Sequence, residues 1–413
     1  MLAVLAFRNL GRNRRRTLLT LCATVMSCAL LILALGIFSG MLEDILDSAT
    51  GQYHGHLVLT GPGYPEGRSL FEHFPQNPDL MEELRGAPGV LGASPRLRSF
   101  GLLSHETIGL PVELLGIVEK QERSVTSLGT RLLAGAAMAE AEGERPPILL
   151  GQALAKRLGA RPGDELVFMT QAADGSIGND LLRVAGIFSS GDQGRDNQLA
   201  LVPLGWLQQL LVLPGELHEL ALRVEAPMEA PELAERLRQD PALQGQDLRL
   251  RHWGQLLPTM REAIAGFDVS RMILILILYC AAGLGILNTF FMSVMERTRE
   301  LGILLAMGMT PGRIRGMILL EALLLGLPGL GGGTALGGLA TLYMREIGID
   351  LSAWLTPVTY AGGTIAPRLR ASFEAVNFWQ PGLALLAVCL LAGYFPARRA
   401  SKLRPTEAIR EDG

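Results

Sequence analysis

Lysine is nearly missing from this chain. Lys120, Lys156 and Lys402 are its only lysines, and none follows a glycine in a Walker A pattern, so the chain offers no P-loop lysine for the phosphates of ATP. Cysteine is absent from residues 43–268, because Cys22, Cys28, Cys280 and Cys389 all lie in apolar runs. That long stretch is therefore not stapled by disulfides, whatever its redox compartment. Among the histidines, His54, His56, His73, His105, His218 and His252, the pair His54-Gly55-His56 is a candidate chelate. Neither HExxH nor a Cys/His zinc pattern accompanies it, and a strand-opening pair without metal is the expectation. Gly-x-Ser-x-Gly is missing as well, which leaves no hydrolase nucleophile nominated. Charge is absent from four apolar runs, residues 17–42, 272–295, 322–344 and 375–397, each near the roughly 20 residues that a helix needs to cross about 30 Å of hydrocarbon.

What is present fits a mixed membrane and soluble architecture. A hydrophobic content of 49% and a mean hydropathy of +0.29 are too apolar for an ordinary soluble protein and too polar for one buried in lipid throughout. The net charge of −3 hides an asymmetry: Arg8, Arg12, Arg14, Arg15 and Arg16 precede the first run with no acidic residue among them. The positive-inside rule places that end in the cytoplasm. Four spans return the C-terminus to the same side, where Arg398, Arg399, Lys402 and Arg404 follow the last run. Arg15-Arg16-Thr17-Leu18-Leu19 faintly resembles a twin-arginine signal, but the uncharged run is longer than a typical h-region and no small-residue cleavage site ends it, so an uncleaved anchor is expected.

The expected fold is membrane α-helical, four transmembrane helices with a large α+β extracytoplasmic domain inserted between helices 1 and 2. The expected boundaries are a basic amphipathic cytoplasmic segment (1–16), helix 1 (17–42), the α+β domain (43–268), helix 2 (269–295), a cytoplasmic connection (296–315), helix 3 (316–344), an extracytoplasmic loop (345–374), helix 4 (375–397) and a cytoplasmic tail (398–413). Residues 43–268 are far too many for a loop and enough for a core. Strand patterns fall at 56–60, 113–118, 165–169, 181–188, 199–202 and 219–224, and helical ones at 152–158, 204–211, 231–239 and 253–267. Asp174-Gly175 marks a hairpin turn.

The connection is the most informative stretch. Glu296, Arg297, Arg299 and Glu300 precede apolar Leu301, Leu304 and Leu305, which helical spacing sets on one face. Gly308 breaks the pattern, and Thr310-Pro311 reads as a helix restart, with Thr310 as N-cap and Pro311 at the first helical position. In the third run, Gly329, Gly333 and Gly337 at intervals of four form a small-residue face for close helix packing. Ionisable groups are almost absent from the runs, which argues against an ion-coupled carrier. Asn288 suits a hydrogen bond across a helix interface, and Glu321 near the start of the third span is placed to reach the membrane boundary. No internal repeat of the four-span unit is visible, so a symmetric pore would need a second copy or a related subunit.

GILLAMGMTPGRI between spans two and three, and YFPARRASKLRPTEAIR at 394–410, resemble the FtsX/MacB-type permeases of ABC transporters. RNLGRNRRRT (8–17), YHGHLVLTGPGY (53–64) and GQALAKRLGARPGDEL (151–166) are most similar to the lipoprotein-releasing LolC/LolE type. The resemblance runs end to end. It implies a multi-pass permease of the bacterial inner membrane, itself not an enzyme, that pairs with a second copy or paralogue and with an ABC ATPase subunit dimer holding ATP and Mg. No cofactor is expected in this chain and no nucleic acid among its partners. Glu296, Arg297, Arg299, Glu300, Leu301, Gly302, Met307 and Gly308 would couple to the ATPase. The extracytoplasmic domain would relay ATP-driven motion, called mechanotransmission, to a lipoprotein or other lipid-like substrate and a periplasmic carrier or adaptor. Acyl chains need an apolar lining near the periplasmic face, which nominates Phe38, Met41, Leu42 and Ile45 with Phe267, Met272 and Ile275; ordinary packing is the competing reading. Carrier-docking members are expected to have a proline-containing loop after the GDEL-like strand, whereas residues 170–180 are short and lack proline. A MacB-like efflux permease for peptides or amphiphiles is the first alternative. An FtsX-like activator of a cell-wall hydrolase is the second, and the size of the inserted domain argues against it.

Overall fold

The computed structural model describes residues 6–8, 14–64, 69–141, 143–241, 243–351, 353–354, 358–360, 363–365 and 368–402. The basic segment 1–16 and the tail beyond 402 lie largely outside the described residues. Twelve helices are numbered here among the described residues: α1 (Arg14–Ala49), α2 (Pro78–Gly86), α3 (Glu119–Val125), α4 (Gln152–Leu158), α5 (Gln193–Asp196), α6 (Leu204–Leu210), α7 (Ala230–Arg238), α8 (Trp253–Leu256), α9 (Pro258–Glu296), α10 (Thr298–Ala306), α11 (Pro311–Glu346) and α12 (Val376–Ala400). α1, α9, α11 and α12 are long and apolar enough to cross a membrane.

The chain divides into two compact units. One comprises Met1–Leu42, Ala265–Leu355 and Pro367–Gly413, and holds the apolar helices; the other comprises Glu43–Ile264 and Thr356–Ala366, and is mixed α/β. In the helical unit α11 packs against both α1 and α12. A Cβ added at Gly329 would stand 2.6 Å from Thr24 Cγ2, one at Gly337 would stand 2.9 Å from Ile32 Cβ, and one at Gly333 would collide with Cys28. Three glycines thus face three α1 residues spaced by four, and the two backbones meet where side chains would hold them apart. α12 is tied to α1 by Asn377 Nδ2 donating to Ser39 Oγ at 3.0 Å, and to α9 by the Tyr279 hydroxyl donating to the Pro381 carbonyl at 3.2 Å.

The α/β unit is built on β1 (Leu57–Thr60), β2 (Phe74–Pro75), β3 (Val90–His105), β4 (Ile108–Ile117), β5 (Leu132–Gly135), β6 (Pro147–Gly151), β7 (Glu165–Gln171), β8 (Ile177–Phe188), β9 (Leu199–Pro203), β10 (Glu216–Leu217), β11 (Glu219–Val224) and β12 (Arg249–His252). Ten of these form one sheet in the order β12-β1-β11-β3-β4-β9-β6-β8-β5, with β7 joining β3 to β8. β4–β9 and β6–β8 are parallel and the other pairs antiparallel. A core of Leu115, Ile117, Leu149, Phe188 and Leu201 lies on this sheet with Tyr53 and Leu128. At the hairpin between β7 and β8, Asp174 accepts from the Ser176 backbone at 2.9 Å and Gly175 takes a φ of +84°, which suits a residue without Cβ.

Two expectations need correction. The pattern at 253–267 reads as one helix, but Leu257 leaves helical geometry and Pro258 starts a new helix that runs unbroken to Glu296. Proline clashes with the preceding turn yet is well placed to begin a helix. α9 is therefore 39 residues long, roughly 58 Å at 1.5 Å per residue. The stretch 345–374, read as loop, contains two short ladders, β13 (Ile349–Asp350) with β16 (Arg368–Leu369) and β14 (Val358–Tyr360) with β15 (Gly363–Ile365).

Candidate functional site

The connection between α9 and α11 is a helix clamped at both ends. α9 stops at Glu296, Arg297 has non-helical dihedrals (φ −111°, ψ 14°), and α10 follows. At its other end the Gly308 N–H donates to the Leu305 carbonyl and the Met309 N–H to the Leu304 carbonyl, both at 3.0 Å, with Gly308 at φ +92°. This is the Schellman arrangement, in which a left-handed residue lets two end carbonyls find donors. Pro311 then opens α11. Thr310 holds the N-cap position in extended backbone, but its hydroxyl makes no capping bond; its carbonyl accepts from Arg313 and Ile314 instead.

Burial separates two faces of α10. Leu301 packs into a cluster with Val294, Ile314, Met317, Ile318, Ala397 and Ala400, joined by Leu304, Leu305 and Met309. Gly302 is buried beside it. Arg299, Ile303 and Met307 are exposed, a stripe at intervals of four, with Met307 70% accessible. Glu296 and Gly308 are exposed too, and Glu300 is half-buried. Arg297 turns inward: its Nη1 donates to both carboxylate oxygens of Glu321 at 3.1 and 3.3 Å, and its Nε donates to Glu300 at 3.4 Å.

The residues nominated to meet substrate are placed less uniformly. Phe38 and Met41 are half-buried on α1, whereas Leu42 and Ile45 are enclosed, at 3% and 1% exposure. On α9, Phe267 and Ile275 are half-buried and Met272 is exposed. None of the seven lines the cavity of about 570 Å³ between α1 and α9, whose wall includes Thr20, Thr24, Ser27, Asn288 and Thr289. The hydroxyls at 20, 24 and 27, one helix face within an otherwise apolar run, were the signal for that groove. Thr24 and Thr289 spend theirs on the carbonyls of Thr20 and Gly285, at 2.8 and 2.9 Å.

A second constellation lies in the α/β unit and has no counterpart in the sequence reading. β3 carries Arg96 and Arg98 inward, 0% and 3% exposed. Arg98 Nε and Nη2 donate to the Glu219 carboxylate at 2.9 and 2.8 Å, and Nη1 donates to Glu113 and to the Tyr53 hydroxyl. Arg96 donates to Glu122 on α3 at 3.0 Å, and Ser94 donates to the same carboxylate at 2.7 Å. Arg195 of α5 lies over the Tyr53 ring, 3.9 Å from its centroid. Burial, the largest single influence, pushes the Glu219 carboxyl up, but the charge and hydrogen bonds of Arg98, joined by the nearby Arg96 charge, together hold it at about 2. His218, whose Nδ1 accepts from the Arg98 backbone, is pushed down to about 4, chiefly by burial. Tyr53 belongs to the turn Thr50–His54 that continues α1. The network therefore fastens that turn to β3, β4 and β11.

Among the described residues no group of three or more His, Cys, Asp or Glu is arranged to hold a metal. His56 Nδ1 accepts from the Val224 backbone at 3.0 Å, an attachment between β1 and β11.

Comparison with known proteins gives this geometry its class. The family model of the MacB-like periplasmic core domain matches residues 17–240, and that of the FtsX-like permease C-terminal region matches residues 272–405. The chain belongs to the FtsX/MacB family of ABC-transporter permeases. It is similar to the lipoprotein-releasing system transmembrane protein LolC of Neisseria meningitidis serogroup B, with 23% identity over 95% of this chain and 94% of that protein. It is also similar to the macrolide export ATP-binding/permease protein MacB of Psychrobacter arcticus, with 23% identity over 97% of this chain but 58% of that protein. Among solved structures, the periplasmic region of MacB from Actinobacillus actinomycetemcomitans aligns with 54% of this chain and 97% of its own, at a TM-score of 0.37 and 17% identity.

Proposed function

We propose that this chain is the membrane subunit of an ABC transporter that extracts lipoproteins from the outer leaflet of the inner membrane for transfer towards the outer membrane. ATP hydrolysis takes place on a separate ATPase subunit, which docks on the exposed stripe of α10 while the buried face of that helix grips α11 and α12. The observation that carries the reading is the match to a lipoprotein-releasing permease over nearly the whole of both chains. Residues 43–268 stand in the periplasm and both termini in the cytoplasm, as the arginine asymmetry favours. A second permease, a copy or a paralogue, completes the assembly. Photo-crosslinkers at Met41 and Met272 in the assembled transporter are expected to capture an acylated protein; a transporting complex that yields none at either position contradicts the assignment.

A MacB-like efflux permease is the second reading. The short turn between β7 and β8, with no proline between residues 170 and 180, favours it, because it leaves carrier docking without its expected loop. A neighbouring gene for a lipoprotein carrier supports the first reading, and one for an adaptor with an outer-membrane channel supports the second.

A further inference from the structure

The charges of the connection fall into two classes with different work to do. Arg299 faces outward, whereas Arg297 reaches back to a carboxylate 24 positions further along the chain. That carboxylate, Glu321, is only 4% exposed and lies beside Ile318 and Ala322, which are 2% and 0% exposed. A carboxylate in such surroundings is costly unless paired and hydrogen-bonded. Arg297 supplies two of its hydrogen bonds, to different oxygens of the one carboxylate.

The position of the pair determines what it links. Arg297 occupies the break between α9 and α10, where the backbone makes no continuous helix to resist bending. Glu321 lies within α11, and from Gly329 onward that helix presses its glycines against Thr24, Cys28 and Ile32 of α1. The apolar stretch of α9, by contrast, is only 11% buried against 44% for α11. We propose that Arg297 and Glu321 form a strut that makes the corner before α10 move with α11, so that displacement at α10 passes through α11 and its glycine seam to α1 and not along the loosely held α9. Arg297 is then a positioning residue acting through Glu321, not part of the surface that meets the ATPase. This rests on the reading of α10 as the docking element.

The test uses the full permease purified with its ATPase, with hydrogen exchange of α10, α11 and α1 compared with and without ATP plus vanadate. In the wild type, nucleotide is expected to change exchange in all three. In Arg297→Gln and Glu321→Gln the ATPase should still copurify and α10 should still respond, while the response of α11 and α1 falls about tenfold, the order lost with a charged hydrogen bond. The exchanged pair Arg297→Glu with Glu321→Arg should restore it. Arg297→Lys, which keeps the charge towards Glu321 but loses the planar guanidinium and its second nitrogen, Nε, on Glu300, should restore it in part and serves if the glutamine variants fail to insert. Gln variants that transmit as the wild type does overturn the strut. Variants that lose ATPase binding and the α10 response together overturn it too, because Arg297 would then contact the ATPase. A wild type whose α10 does not respond to nucleotide sinks the docking reading itself, a result distinct from either.

Discussion

Arg98 shows how much depends on single residues in the α/β unit. It is the shared partner of Glu219, Glu113 and Tyr53, and Arg98→Met would leave buried carboxylates without their cation. Breaking such a pair from one side costs on the order of 3–5 kcal/mol. Arg223→Met, which removes only the surface pair with the half-exposed Asp47, should cost about 1 kcal/mol or less. Urea unfolding of the two variants, followed by hydrogen exchange of β3, checks the contrast. The same residues set the response to acid. His218, held at about 4 when folded and near 6.5 when unfolded, favours the folded state fully above 6.5 and loses that contribution as pH falls towards 4. Glu219, held at about 2, adds stability present above its unfolded value and lost between about 4.5 and 2. Both signs agree, so protection of β3 and β11 from exchange, corrected for intrinsic rate, should fall steadily from pH 7 to pH 4.

At the scale of elements, the sharpest dependence is on backbone shape. The Schellman end of α10 needs a residue at φ +92°, and open space surrounds the missing Cβ of Gly308. Gly308→Ala should therefore cost about 1 kcal/mol of local strain and keep coupling, whereas Gly308→Trp adds bulk beside the stripe proposed to dock the ATPase and should uncouple ATP hydrolysis from transport. Gly333→Leu forces α11 away from Cys28 and should destabilise the α1–α11 contact by about 1–3 kcal/mol, measurable as a lower melting temperature of the purified complex. The seam was legible in the sequence because a four-residue repeat of glycine in an apolar run has one economical use. α4 was legible to its boundaries, since Gly159 ends it in the left-handed region. β3 was not. Arg96, Arg98, Pro95 and Gly101 interrupt its apolar alternation, and those arginines are accommodated only because Glu122 and Glu219 come from distant segments. The internal partner of Arg297 was hidden for the same reason: charge in a sequence says nothing of which way it faces. The α1–α9 groove was hidden because only Asn288 stands out among its polar residues, whereas Thr20, Thr24 and Ser27 mark a face only when taken together at helical spacing.

For the whole molecule, four helices able to span a membrane and a separate α/β unit are the architecture of an FtsX/MacB-type permease, with ATP hydrolysis proposed to take place on a separate subunit. Among the described residues the polar constellation around β3 is an internal brace, and the exposed stripe of α10 is the surface proposed to receive the ATPase. The central claim is that this permease draws on a partner ATPase to handle lipid-anchored proteins. Native mass spectrometry of the complex, purified from its own membranes in mild detergent, tests it most directly. The expected result is an ATPase dimer bound to the permease, with an acylated protein retained before ATP is added and lost after it. An ATPase-bound permease that never carries an acylated protein, and releases only small amphiphiles on ATP addition, would contradict it.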